Sequence, residues 1–206
     1  MYARTTTIDG EPSSIDAGIV QIRDTVMPML EGLSGYIGLS LLVDRTSGRC
    51  IATSAWETEE AMRASDSVVH DARDSAAQTL GGIPEIAEWE IAVLHRDHQS
   101  GEGACVRVTW VKVDPDQVDR GIDIFKMSVM PALDDLEGHC STSLLLDRAS
   151  GRAVSSTAFD SAEALARNQS RIEELKAAST TDASADVLDE RDFELAIAHL
   201  RVPEMA

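Results

Sequence analysis

Aromatic residues are scarce in this chain, at 4% of 206 positions, with three tryptophans, two tyrosines and three phenylalanines. Any core must therefore rest on Leu, Ile, Val, Ala and Met. Cysteine is scarcer still. Cys50, Cys105 and Cys140 show no metal-ligand spacing, and pairing two would leave one over, so a reduced, cytoplasmic setting is the simplest expectation. No apolar run is long enough to cross a bilayer, and MYARTTTIDG lacks the basic start and apolar stretch of a secretory signal. Lysine is nearly absent. Arginine carries most of the positive charge, and no basic cluster interrupts a formal net charge of −18. A surface that acidic repels phosphate backbones and anionic headgroups, so neither nucleic acid nor membrane is an expected partner.

What is present is a repeat. Shifting the chain by 103 residues superimposes Met27-Pro28 on Met130-Pro131 and Gly35 on Gly138. The same shift aligns Asp44-Arg45 with Asp147-Arg148 and Ser47-Gly48-Arg49 with Ser150-Gly151-Arg152. Across residues 27–65, 16 of 39 positions are identical without a gap. After a one-residue slip, Trp89-Glu90 meets Phe193-Glu194 and His95 meets His199. Residues 1–96 and 104–206 are thus expected as two copies of one unit, joined by a polar, Gly-containing linker over 97–103.

Each copy parses alike. Residues 106–111 alternate as a strand, and Asp114-Pro115, like Glu11-Pro12, marks a helix start. Apolar spacing from Val118 through Ile122, Phe125, Val129 and Leu133 is helical, with Pro131 and Pro28 expected to kink or end that helix. Asp147–Gly151 and Asp44–Gly48 are hairpin turns rather than phosphate loops. The resulting order, β-α-β-β-α-β, is the ferredoxin-like pattern. Its antiparallel sheet carries helices on one face, and the other face needs a second sheet. The expected class is α+β, with the two repeats forming an intramolecular, pseudo-dimeric α/β barrel.

The stretches 28–36, Leu41-Leu42-Val43-Asp44-Arg45 and 54–61 resemble the antibiotic biosynthesis monooxygenase superfamily over nearly all of each copy. That resemblance implies a dimeric α/β-barrel fold, and it admits several activities. They include cofactor-independent oxidation of phenols or quinols, heme degradation, and none known. Many relatives carry a histidine on the second helix nine or ten residues after the tryptophan that ends the third strand. Here Ser65 and Asp66 stand at those spacings from Trp56, while Phe159 is followed by Asn168 and Gln169. Without an axial histidine, heme loses its central ligand. No cofactor and no metal centre is expected.

Candidate residues each have a plain alternative. Trp56 and Phe159 could wall a pocket for a small aromatic ligand, or anchor the second helix as core. Tyr36, and His139 at the equivalent place, could line the rim. His70 is the candidate acid or base, against an ordinary surface histidine. Arg4–Glu90 and Arg107–Glu194 are expected as cross-strand ion pairs, facing away from the helices, with a substrate-carboxylate clamp as the functional alternative. Two functions follow. One is a small-molecule-binding or scaffold protein without catalysis. The other is a cofactor-independent monooxygenase acting on a phenolic substrate in the first repeat. Further homodimerisation is compatible with either.

Overall fold

Both copies of the repeat fold with the expected order, except that each expected helix comes as two segments. In this computed structural model, which describes residues 1–200, the first copy comprises β1 (Tyr2–Asp9), α1 (Ile15–Gln21), α2 (Met27–Glu31), β2 (Tyr36–Val43), β3 (Arg49–Trp56), α3 (Glu59–Ala64), α4 (Asp66–Leu80) and β4 (Pro84–Arg96). The second copy comprises β5 (Cys105–Lys112), α5 (Val118–Ile124), α6 (Met130–Asp134), β6 (His139–Asp147), β7 (Arg152–Phe159), α7 (Ala162–Arg167), α8 (Gln169–Ala183) and β8 (Asp186–Leu200). Positions 201–206 of the second repeat lie outside the described residues.

Local chemistry explains the segmentation. Pro28 and Pro131 have no N–H to return to the preceding turn, and the chain widens into a π-helical turn just before each, at Ile22–Val26 and Phe125–Val129. The helix then continues to Glu31 and Asp134 rather than ending at the proline. Asp114 caps its helix by accepting from the Asp116 amide at 3.0 Å, whereas Glu11 makes no side-chain cap. Thr58 and Ser161 cap α3 and α7, at 3.1 and 3.2 Å.

The compact units do not follow the repeat boundaries. One holds Met1–Trp89 with the stretch that begins at Glu194, and the other holds Glu90–Phe193. Strands β4 and β8 run through both, so each copy lends the end of its last strand to the unit built mainly from the other. In the first unit β1 pairs with β3, β3 with β2, and β2 with the end of β8. In the second, β5 pairs with β7, β7 with β6, and β6 with the end of β4. Followed strand to strand, the antiparallel order is closed: β1-β3-β2-β8-β5-β7-β6-β4. Bulges at equivalent places, Ile91/Val93 and Leu41/Leu42, interrupt the two ladders that involve the lent segments.

The repeated Asp-Arg-x-Ser-Gly segments are hairpin turns. Asp44 and Asp147 each accept an amide proton two residues on, at 2.8 and 3.0 Å. Gly151 sits at φ 71°, and a Cβ there would collide with the Val113 carbonyl oxygen. Gly151→Ala combines left-handed backbone strain with that clash. It should cost more than about 2 kcal/mol, read as a lower urea midpoint at unchanged slope. An unchanged midpoint would show that the turn relaxes.

The arginine in these turns has a role that turn chemistry alone does not reveal. Arg45 bridges Glu194, at 2.6 and 3.1 Å, to Asp16 at 2.8 Å. Arg148 repeats the arrangement with Glu90, at 2.6 and 3.1 Å, and Asp119 at 2.7 Å. Each therefore clips a hairpin to a lent strand. This overturns the expected pairs Arg4–Glu90 and Arg107–Glu194, because both glutamates are taken by the turn arginines.

Candidate functional site

Arg4 and Arg107 find their acids two residues earlier on the neighbouring strand. Arg4 pairs with Glu88 at 3.0 Å and Asp66 at 3.6 Å. Arg107 forks onto Asp192 at 2.7 and 2.8 Å and reaches Gln169 of α8 at 2.9 Å. Both arginines are buried, at 5% and 7% exposure, and both face the helices rather than away from them. Alternation along β5 gave the wrong face because both faces are covered. Val106 and Val108 are buried on the side opposite Arg107, where Trp110 meets Phe193 edge-on at 6.4 Å.

In each unit these arginines help to line a cavity between sheet and helices. That of the second unit measures about 130 Å³ and that of the first about 60 Å³. A cavity of comparable size lined by aliphatic side chains takes up a benzene-sized guest. The walls of the larger one come from Val118, Ile122, Phe125, Leu133, Leu144 and Ile172, and its polar groups gather around Arg107. Thr109 donates to Glu190 at 3.0 Å, and Lys176 binds both oxygens of that carboxylate at 2.8 and 2.9 Å. The Arg107 guanidinium is held above its usual pKa chiefly by its hydrogen bond to Asp192. Its Nη1 has no hydrogen-bond acceptor, with Glu190 standing 4.0 Å away. A buried N–H group left without an acceptor costs free energy until something accepts from it.

The smaller cavity contains Trp56, Leu39, Ser65, Arg4 and Arg73. Trp56 is fully buried and donates to Ser54 at 3.0 Å, and Tyr36 packs edge-on against it at 5.6 Å. His70 is elsewhere. Its side chain is 56% exposed, 3.5 Å from Asp74, with Arg73 at 3.1 Å from its Nδ1. The buried face of α4 runs through Val69, Arg73, Ala76, Ala77 and Leu80, and His70 falls beside that stripe. The acid–base role expected for His70 at a pocket is therefore withdrawn. Phe159 is fully buried in the hydrophobic cluster with Leu133, Leu165 and Ile172, and it does not line the larger cavity.

Histidines that composition alone could not rank sit together in the second unit. His139, expected at a rim, is 3% exposed, and burial pushes its pKa down while Asp134, 3.3 Å away, opposes the shift. The same aspartate lies 3.1 Å from His95. The equivalent His199 meets Glu31 at 3.1 Å. The repeated terminal histidines therefore place the lent strand ends beside acids at the ends of α6 and α2. The three cysteines are free and buried, and desolvation pushes Cys50 up to about 11 and Cys140 up to about 12.

No family model matches the sequence. Among proteins of Mycobacterium tuberculosis H37Rv, the uncharacterized protein Rv2557 is 60% identical over 205 residues, covering 100% of this chain and 92% of the relative. Rv2558 is 56% identical over 206 residues, covering 100% and 87%. A candidate monooxygenase from Lactobacillus acidophilus NCFM superimposes with a TM-score of 0.72 at 8% identity, over 97% of this chain and 96% of its own. An anthrone oxidase-like protein gives 0.69 at 10% identity, over 100% and 95%. A ferredoxin-fold protein of Listeria monocytogenes related to antibiotic biosynthesis monooxygenases gives 0.56 at 10% identity, over 95% and 94%. The fold as a whole thus has its counterparts among solved structures, and the chain belongs to the family of Rv2557 and Rv2558, built on the fold of the antibiotic biosynthesis monooxygenase superfamily.

Proposed function

We propose that the protein binds a small, largely apolar molecule in the cavity of its second unit, without carrying out chemistry on it. One observation carries this reading: an apolar space of about 130 Å³ has Arg107 in its wall, a buried guanidinium that still has one nitrogen without an acceptor. The fitting ligand has a flat or short hydrocarbon body and one acceptor, a carboxylate or phenolate oxygen, directed at Arg107. A charge-assisted hydrogen bond there would satisfy the open donor. The charged groups among the lining residues do not offer a free base. Glu190 is the carboxylate present, and Lys176 and Thr109 occupy both its oxygens. Catalysis in the first repeat loses its support with His70 outside the cavity. Three buried free thiols fit a reduced, cytoplasmic setting, and among the described residues no helix is long and apolar enough to cross a membrane.

Isothermal titration with 2-naphthoate tests the proposal. Binding at one site per chain is expected, weakened about tenfold in Arg107→Lys, which keeps the charge and loses the planar fork. Gly121 lines the cavity where an added Cβ would meet no atom within 4 Å. Gly121→Leu should leave the fold intact and remove binding. Equal affinity in both variants would place the ligand elsewhere, and absence of binding to the wild type would refute this ligand class.

A further inference from the structure

A second group of side chains lies away from the cavity, where the connection between the repeats passes over the second unit. The linker is not a loose tether there. The amides of Asp97 and His98 both donate to the Cys140 carbonyl, at 2.9 and 3.3 Å. That anchorage brings His98 beside two side chains from β6 and the end of β7. His98 Nε2 is 2.9 Å from Asp160 Oδ1, and the wholly buried Cys140 Sγ is 3.3 Å from the same oxygen. On the other side of the ring, His98 Nδ1 is 2.8 Å from Asp97 Oδ2. Donor atoms of His98, Cys140 and Asp160 all lie within 4.8 Å of one another, the one such trio among the described residues.

We propose that His98, Cys140 and Asp160 form a mononuclear site for a divalent metal ion of the zinc class, with a fourth position left for water. One thiolate, one imidazole and one carboxylate make a mixed donor set that suits this borderline-soft, tetrahedral ion and not magnesium or calcium, which take oxygen ligands. Ligand atoms about 2.0–2.3 Å from such an ion stand roughly 3.3–3.6 Å apart, so the two short edges need shifts of a few tenths of an ångström, and the His98–Cys140 edge, within 4.8 Å, closes around the ion. Asp97 supplies the outer hydrogen bond that metal-bound imidazoles commonly have, and so presents Nε2 to the site.

Comparison of the repeats points the same way. The first copy has Ile37 where the second has Cys140, and Glu57 where it has Asp160. An apolar residue satisfies that strand position in one copy. In the other, a buried thiol is aimed at a carboxylate and an imidazole. Binding would displace the thiol proton, and the ring proton of His98 where it is present, into the buffer. The neutral sum of M²⁺, thiolate and carboxylate would tie the linker to β6 and β7.

Cobalt(II) titration of the full chain, stripped with a chelator under reducing conditions, tests this directly. The expected result is one cobalt per chain with a thiolate-to-cobalt charge-transfer band, removed when Zn²⁺ is added. Cys140→Ser should lose the band, and Cys50→Ser should keep it. Asp97→Asn should weaken binding about tenfold to a hundredfold, and His98→Ala by more, with circular dichroism checking that each variant is folded. The proposal is overturned if the wild type shows no thiolate band, if the band survives Cys140→Ser, or if His98→Ala binds with unchanged affinity.

Discussion

Replacing Trp56 by alanine should remove about 4 kcal/mol of stability, whereas His70→Ala should change it by less than about 0.5 kcal/mol. The contrast follows from placement. Trp56 is fully buried, packs with Met62, Val69 and Leu30, and bonds Ser54 through its indole N–H. Truncation removes the transfer free energy of an indole and enlarges the small cavity beside it, which strands pinned on both sides of β3 cannot collapse to fill. His70 has more than half its side chain in water, and its contact with Asp74 is a surface pair of little worth. Urea unfolding followed by circular dichroism separates the cases. If both substitutions cost the same, the assignment of Trp56 to the core and His70 to the surface fails.

Much of the fold was legible because it is written twice. Turns announced themselves through Asp-Arg-x-Ser-Gly, and helix starts through Asp114-Pro115, with glycine at the one backbone position in each hairpin that demands it. What stayed hidden depends on neighbours distant in sequence. A strand of 13 or 15 residues reads as one strand, and nothing local marks where β4 or β8 passes from one unit to the other. Alternation along β5 showed that Arg107 and Trp110 point opposite ways, yet hydropathy could not tell which side carries the helices, since both sides are buried. The acids along β8 at 190, 192 and 194 share one face, so parity was readable and partnership was not. Register and bulges decide that Asp192 meets Arg107 while Glu194 meets Arg45. His98 reads as linker because Cys140 and Asp160, the side chains it meets, are 42 and 62 residues away in the chain.

Arg107→Ala should cost about 3 kcal/mol, the low end of what breaking a buried ion pair costs. The guanidinium is buried and makes three hydrogen bonds, so its loss strands Asp192 and the Gln169 carbonyl oxygen. Two features hold the figure down. Asp192 is 44% exposed and water can replace part of what it loses, and Glu190 keeps Lys176 as a partner. A double-mutant cycle with Asp192→Asn should return a coupling of about 1–3 kcal/mol, as expected for groups in direct contact. The same cycle between Arg107 and Glu194 should return about zero, because Glu194 belongs to Arg45. Strong coupling to Glu194 would restore the pairing suggested by the repeat and refute the observed register. The substitution also separates stability from ligand capture. Arg107→Lys retains a cation for Asp192 but loses the planar fork, so binding of 2-naphthoate should fall about tenfold while stability falls by less than in Arg107→Ala. A fall in stability with affinity unchanged would mean that Arg107 serves the fold alone, and that the cavity beside it selects its guest by shape.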